Sequence, residues 1–311
     1  MPEILPLTLA DRNLVSAYLR SHPPEISEHT FTNLFIWQPS RTILFTEIEN
    51  TLVFLVKAAE EDGKYILFGP PVGKLSFPGV LSVLGPNVIG AVRIPDIAAE
   101  KLSVSDLVIN PDRDNADYVY RVKDLAELKG RRFAKKRNRI KRCLNSHTCE
   151  YIPITSELIA ECETMQESWC DNRDCGRNPG LCNEANAIAE IFAHFNEFEL
   201  LGGAVRVDGI IQAYAIAEAL HPGTAVWHFE KAMADIPGLG QLINQWFSKY
   251  GLFDFEYVNR EQDMGIQGLR QAKKSYYPHH MVPKNCISLS VDKPISAKSI
   301  KAEGCAEHEH Y

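Results

Sequence analysis

The residues best equipped for chemistry lie between positions 225 and 275. Asn259-Arg260-Glu261-Gln262-Asp263-Met264-Gly265 follows a short apolar run that reads as a strand. Ligands of open α/β sheets commonly bind beyond the carboxyl ends of strands. There Arg260 could hold a phosphate or carboxylate in a bidentate fork. Asp263 or Glu261 could deprotonate or orient an acceptor amine or hydroxyl; alternatively these residues form a salt-bridged cap on the next helix. Upstream, Trp227-His228-Phe229-Glu230-Lys231 alternates, which places His228 and Glu230 on one face as a catalytic or a structural pair. Glu230 could also pair with its neighbour Lys231. Between these stretches, Gly238-Leu239-Gly240 precedes a helix, where free N–H groups can receive an anion. A plain strand-to-helix turn would use the same glycines. Arg270, Lys273 and Lys274, beside Tyr276, extend the basic end as phosphate contacts or as a solvated face.

A second candidate is electrostatic. From Lys129 to Arg142 nine of fourteen residues are Lys or Arg and none is acidic. Without those nine, 24 basic residues face 40 acidic ones, and the chain as a whole carries −7. A broad nucleic-acid surface is therefore not implied, but a local one is. A helix from about Arg131 to Leu144 would present Lys135, Lys136 and Arg139 to an RNA backbone. It would equally serve as a connecting helix anchored by Phe133 and Ile140.

The elements that must position these groups are legible in outline. Leu239, Leu242, Ile243, Trp246, Phe247 and Tyr250 recur at helical spacing and make one apolar face. Strands are expected at Ala225–Glu230 and Phe253–Val258 on either side of it. Leu201–Val207 and Ile210–Glu218, joined by Asp208-Gly209, form a hairpin. Glu184–Phe198 reads as a helix, and the polar stretch Asp171–Glu184 as a loop. The first half repeats this order with strands at Ile43–Ile48, Leu52–Val56, Lys64–Phe68 and Ala91–Ile94, but without a glycine pair matching Gly238 and Gly240. Asp117–Val122 and Cys286–Val291 are further strands. The order suggests a unit at 1–128, a basic connecting helix at 129–148, an equipped unit at 149–291 and a disordered tail at 292–311.

The eight cysteines lack a CxxC or a zinc-ribbon spacing, so free thiols in a reducing compartment and no metal site are expected. No apolar run approaches the roughly 18–20 residues of a membrane span. The N-terminus lacks a basic region followed by an apolar stretch, so no signal peptide and a cytoplasmic location are expected.

The unit around Asp235-Ile236-Pro237-Gly238-Leu239-Gly240 resembles the GNAT acyltransferase fold, whose Q/R-x-x-G-x-G/A loop cradles a pyrophosphate. Gly238 and Gly240 match that motif; Asp235 stands at the Q/R position, where its charge would repel a cofactor phosphate. More specifically, Tyr118–Arg142, Trp227–Ala232, Gly238–Phe247 and Tyr257–Pro278 resemble the C-terminal domain of phosphatidylglycerol lysyltransferases, tandem GNAT-like proteins related to the FemABX aminoacyltransferases. The resemblance implies an α/β (α+β) fold of two tandem GNAT-like units, each a mixed, mostly antiparallel sheet flanked by helices. It implies a transferase moving an activated acyl group to an amine or hydroxyl on a small-molecule, peptide or lipid acceptor. Aminoacyl-tRNA is the favoured donor and tRNA the implied partner. An acyl-CoA-dependent N-acetyltransferase and a catalytically silent ligand-binding protein are the alternatives. Either donor would act as a co-substrate, with no tightly bound cofactor. Arg260, Asp263, Glu230 and His228 are then the catalytic candidates, and Gly238, Leu239, Gly240, Arg270, Lys273 and Lys274 the donor-binding ones.

Overall fold

The structure, a computed structural model, describes residues 2–59, 61–102, 107–290 and 294–301. Contacts divide the chain into two compact units. One runs up to Asp117 and takes in Gln262–Gln267 and the stretch from Met281 on; the other comprises Tyr118–Glu261 and Gly268–His280. The boundaries expected at 128, 148 and 291 do not coincide with this division.

In the first unit, the strands Leu5–Pro6, Leu44–Ile48, Thr51–Lys57, Tyr65–Phe68, Val88–Pro95, Lys284–Ser288 and Val108–Pro111 lie side by side in that order. Val53, Leu55, Leu67, Ala91 and Ile287 are buried against Val80 and Leu84 of the helix Phe77–Leu84. Fully buried Val, Leu and Ile side chains such as these each contribute about 1.5–3 kcal/mol. A strand was expected in the second unit at Cys286–Val291; the strand observed is Lys284–Ser288, which pairs in the first sheet with Val88–Pro95 and Val108–Pro111, and Val291 lies outside the described residues.

The expected disordered tail is ordered in part. Ile295 is buried, Ala58 bridges Ile300, and the Lys301 N–H donates to the Lys57 carbonyl. The rest of that tail, 292–293 and 302–311, lies outside the described residues.

The first unit also buries a charge network. Lys284 Nζ lies 2.6 Å from both Glu28 and Asp117, and Arg93 pairs with Glu28 at 2.9 Å and Asp112 at 2.8 Å. Burial alone would raise the Glu28 carboxyl, but Lys284 and Arg93 hold it below the usual range. Where the parallel strands Tyr65–Phe68 and Val88–Pro95 end, the Phe68 carbonyl is taken by the buried His29 ring at 3.1 Å.

The second sheet has the order His280–Val282, Asp117–Arg121, Tyr257–Asn259, Thr224–Ala232, Ile210–His221, Leu201–Val207 and Cys149–Pro153. From Thr224–Ala232 to Cys149–Pro153 neighbours are antiparallel; Thr224–Ala232 runs parallel to Tyr257–Asn259. The connection between that parallel pair is the helix Leu239–Trp246, which buries Leu239, Leu242, Ile243 and the following Phe247 completely. A wide turn, Phe247–Gly251, prolongs it. That turn displaces the expected strand at Phe253–Val258, and only Tyr257–Asn259 pairs.

Two further elements differ from expectation at one point. The stretch 171–184 is mostly helical. A helix runs to Arg173, and the next, Pro179–Ala193, is started by Asn178, whose Oδ1 accepts from Gly180 and Leu181 N–H. Of the cysteines, Cys143, Cys149, Cys162, Cys170, Cys175 and Cys286 are free. Cys182 is disulfide-bonded, which departs from the free-thiol expectation. Burial pushes the Cys143, Cys162, Cys175 and Cys286 thiols up to about 12, far from a reactive thiolate. Among the described residues no cluster of His, Cys, Asp or Glu could hold a metal ion. No described helix is long and apolar enough to cross a membrane.

Candidate active site

The two parallel strands of the second sheet pair at three positions only: Thr224 with Tyr257, Ala225 with Val258 and Val226 with Asn259. The shorter strand ends there, while its neighbour continues to Ala232. A gap opens beyond the carboxyl end of Tyr257–Asn259, and Arg260 is the first residue past that end. Its guanidinium donates to Glu230 Oε2 at 2.9 Å, across the gap. Asn244, on the connecting helix, donates to the same oxygen at 3.0 Å. Glu230 Oε1 takes no hydrogen bond among the described residues. Asn244 is fully buried, and its Oδ1 also lacks a donor among them.

Aromatic rings wall this pair. The Arg260 guanidinium carbon stands 4.6 Å from the Trp227 ring centroid, 5.4 Å from Tyr276 and 5.7 Å from Tyr120. Rings at these distances stabilise a cation on their faces and exclude water from one side of it. Lys136 joins from the basic helix Ala134–Ser146: its Nζ lies 3.4 Å from the Tyr276 ring centroid and donates to Ser275 Oγ at 2.8 Å. Burial and the charges of Arg260 and Arg139 lower the Lys136 ammonium to about 8. Arg260 and Lys136 thus stand about one carboxylate, with Arg139 close enough to act on Lys136, an excess of positive charge suited to an anion.

The other expected site residues fall into place differently. His228 and Glu230 do not share a face. Ala217 pairs with Trp227 and Ile216 with Phe229, so His228 is the extra residue of a bulge, and strict alternation fails there. As a result Trp227 and Glu230 both meet Arg260. His228 meets two carboxylates instead: its Nε2 donates to Glu218 at 2.8 Å and its Nδ1 to Glu261 at 3.0 Å. Burial works to lower the imidazole, but the bonds to Glu218 and Glu261 outweigh it and raise it to about 9. With both nitrogens engaged by carboxylates, the clamp favours the imidazolium. Glu230 does not pair with Lys231, which binds Glu184 at 2.6 Å.

Asp263 belongs to the first unit, where its fully buried carboxylate is held by Arg113 at 3.2 Å and accepts from Gly265 N–H at 3.0 Å. These contacts commit its carboxylate to its own loop. Lys273 donates to the Arg260 carbonyl oxygen, so it steadies Arg260. Arg270 is half-buried and Lys274 exposed on the helix Gln267–Lys274.

Gly238 has φ +98°, and a Cβ there would overlap the carbonyl oxygen of Arg139. Close packing on the basic helix therefore requires this glycine, whatever it does for an anion. Leu239 is buried and its N–H donates to the Ile236 carbonyl at 3.2 Å. Gly240 is open, with Ala232 Cβ 3.9 Å from where its Cβ would stand. Lys135 and Arg139 are exposed on the basic helix. Tyr120, Trp227 and Asn244 were not expected at the site. Trp227 and Asn244 flank named candidates in sequence, but only the bulge and the helix phase bring them to Glu230.

Known proteins place this fold. A conserved protein of unknown function from Bacteroides thetaiotaomicron superposes with TM-score 0.85 at 31% identity, covering 93% of this chain and 100% of its own. L-PGS from Bacillus licheniformis superposes with TM-score 0.61 at 15% identity over 89% of this chain and 91% of its own. FemX does so with TM-score 0.58 at 9% identity over 91% and 96%. No curated sequence matches the chain. The fold is two tandem GNAT-like units, each a mixed, mostly antiparallel sheet with flanking helices. The family model described as phosphatidylglycerol lysyltransferase, C-terminal, matches residues 20–287, and the chain belongs to that family.

Proposed function

We propose that the second unit transfers an activated acyl group, with an aminoacyl-tRNA as donor, to an amine or hydroxyl acceptor. The observation that carries this reading is the Glu230 carboxylate, fixed through one oxygen by Arg260 and Asn244 where the parallel strands part. A carboxylate held this way presents its other oxygen to a proton. The acceptor nitrogen or oxygen attacks the ester carbonyl as Glu230 takes its proton. The carbonyl oxygen gains negative charge, which the Arg260 and Lys136 cations offset in a site walled by rings. The carbon–oxygen bond to the donor ribose then breaks, and the proton passes to the leaving oxygen.

Charge supports the tRNA donor over acyl-CoA. Lys135 and Arg139 continue the cationic surface outward from Lys136 along the basic helix. In the glycine loop, by contrast, Gly238 is committed to packing on Arg139, and the exposed Asp235 stands where an anion would approach. Incubating the chain with labelled aminoacyl-tRNA or labelled acyl-CoA, and a mixture of amine and hydroxyl acceptors, tests the reading. Label leaves the tRNA ester for an acceptor, and Glu230→Gln slows this by roughly 10²–10⁴-fold, the usual worth of a general base. Transfer from acyl-CoA alone would replace the donor, and binding of either donor without turnover would make the chain a ligand-binding module.

A further inference from the structure

The far end of the helix Leu239–Trp246 borders a groove of about 710 Å³, which lies wholly within the second unit. None of the residues at Glu230 and Arg260 lines it. Its size falls in the range of roughly 300–1,000 Å³ usual for small-molecule sites. Its walls are aromatic. Trp246 and Phe255 are half-buried, and Phe253 is 70% exposed. Its rim is cationic: Lys123 and Lys249 are exposed, Lys249 giving one of its three donors to the Tyr250 hydroxyl at 3.0 Å, while Lys129 pairs with Glu127 at 2.8 Å. The groove therefore holds more ammonium charge than its one carboxylate offsets.

Local structure explains how these groups converge. The Leu252 N–H closes on the Phe247 carbonyl at 3.0 Å, five residues back. This wide turn replaces the expected strand and leaves Phe253 and Phe255 lining the groove with Trp246. Wide turns of this kind recur at functional sites. The polar side chains of the floor are already engaged: Gln245 donates to the Ala126 carbonyl at 3.1 Å and Ser248 to the Asn244 carbonyl at 2.8 Å. Recognition here must come from flat rings and ammonium groups, the combination that stacks a base and holds its phosphate.

We propose that this groove is a second ligand site, for a nucleoside phosphate, with the base against Phe253 and Trp246 and the phosphate at Lys123 and Lys249. Since no uncommitted side chain reads a base edge, it tolerates different bases and favours purines for their larger stacking area. The proposal stands apart from the acyl-transfer reading.

Calorimetric titration of the full chain with ATP, AMP and inorganic phosphate, at about 150 mM salt to screen diffuse attraction, tests it. ATP binds; Phe253→Ala and the double variant Lys123→Gln/Lys249→Gln each weaken it by about tenfold or more. The charge-matched control Lys57→Gln/Lys74→Gln, on exposed lysines of the first unit, leaves it unchanged. All these side chains are exposed, and matching melting curves confirm that each variant folds. A single-stranded oligoadenylate that displaces ATP assigns the groove to a nucleic-acid end, and failure to displace it assigns a free nucleotide. The proposal is overturned if neither ATP nor oligoadenylate binds at millimolar concentration, if the groove variants bind like the wild type, or if inorganic phosphate binds as tightly as ATP.

Discussion

The buried His228 clamp makes a quantitative prediction about stability. The imidazole lies between Glu218 and Glu261 and its side chain is 1% exposed. Its acidity moves from an ordinary 6.5 to about 9 on folding. That difference corresponds to roughly 3 kcal/mol of stabilisation by the protonated form. The sign follows from proton uptake: the folded state keeps its proton where the unfolded state has lost it. The contribution is therefore complete below about pH 6.5 and is lost as pH rises through 9. Replacing His228 by Gln removes the charge and leaves two carboxylates facing a neutral amide. Loss of one partner from a buried ionic cluster costs on the order of 3–5 kcal/mol. Urea unfolding of both proteins between about pH 6 and 10, followed by a signal from the second unit, checks it. The stability gap is widest near pH 6 and narrows by roughly 3 kcal/mol toward pH 10. Ring nitrogen chemical shifts report the proton directly and show an imidazolium at pH 8. A gap that stays constant with pH, or a neutral ring at pH 8, refutes the reasoning.

Three other perturbations follow from named contacts. Gly238→Ala places a Cβ into the Arg139 carbonyl at a left-handed φ and lowers stability by about 2–4 kcal/mol, whereas Gly240→Ala, with open space around it, costs about 1 kcal/mol or less; thermal melts compare them. Lys284→Met removes the buried cation that Glu28 and Asp117 share, leaving Glu28 to Arg93, and costs about 3–5 kcal/mol of stability by urea titration. Because Lys136 loses its proton near 8, donor affinity at the Arg260 site falls as pH rises from 7 to 9, and Lys136→Met flattens that profile in a binding titration.

Much of the second unit was legible in the sequence because its signals are local. The apolar face from Leu239 to Phe247 repeats at helical spacing and is buried as that spacing requires. Asp208-Gly209 turns the hairpin as its residue types dictate. The Asn178 cap and Pro179 were also there to be read as a helix start. The rest depends on register. Glu230 and Arg260 were each singled out, but their pairing across 30 residues comes from where two parallel strands stop pairing. The bulge at His228 turns an alternating run into one whose neighbours diverge, and no residue in Trp227–Lys231 announces it. Asp263 lies three residues from Arg260 in the chain, yet it folds into the other unit. Sheet membership is equally silent in local pattern: the sequence signals a strand at Cys286–Val291, but nothing in it marks the sheet that the observed strand Lys284–Ser288 joins.

The central claim is that Glu230, fixed by Arg260 and Asn244, is the base of an acyl transfer. Single-turnover transfer from labelled aminoacyl-tRNA tests it most directly, comparing the wild type with Glu230→Gln at matched melting temperature. The account predicts that the labelled acyl group moves to an acceptor in the wild type, at least 100-fold more slowly in the variant, with donor affinity changed by less than about tenfold. Equal transfer rates in the two proteins would contradict it.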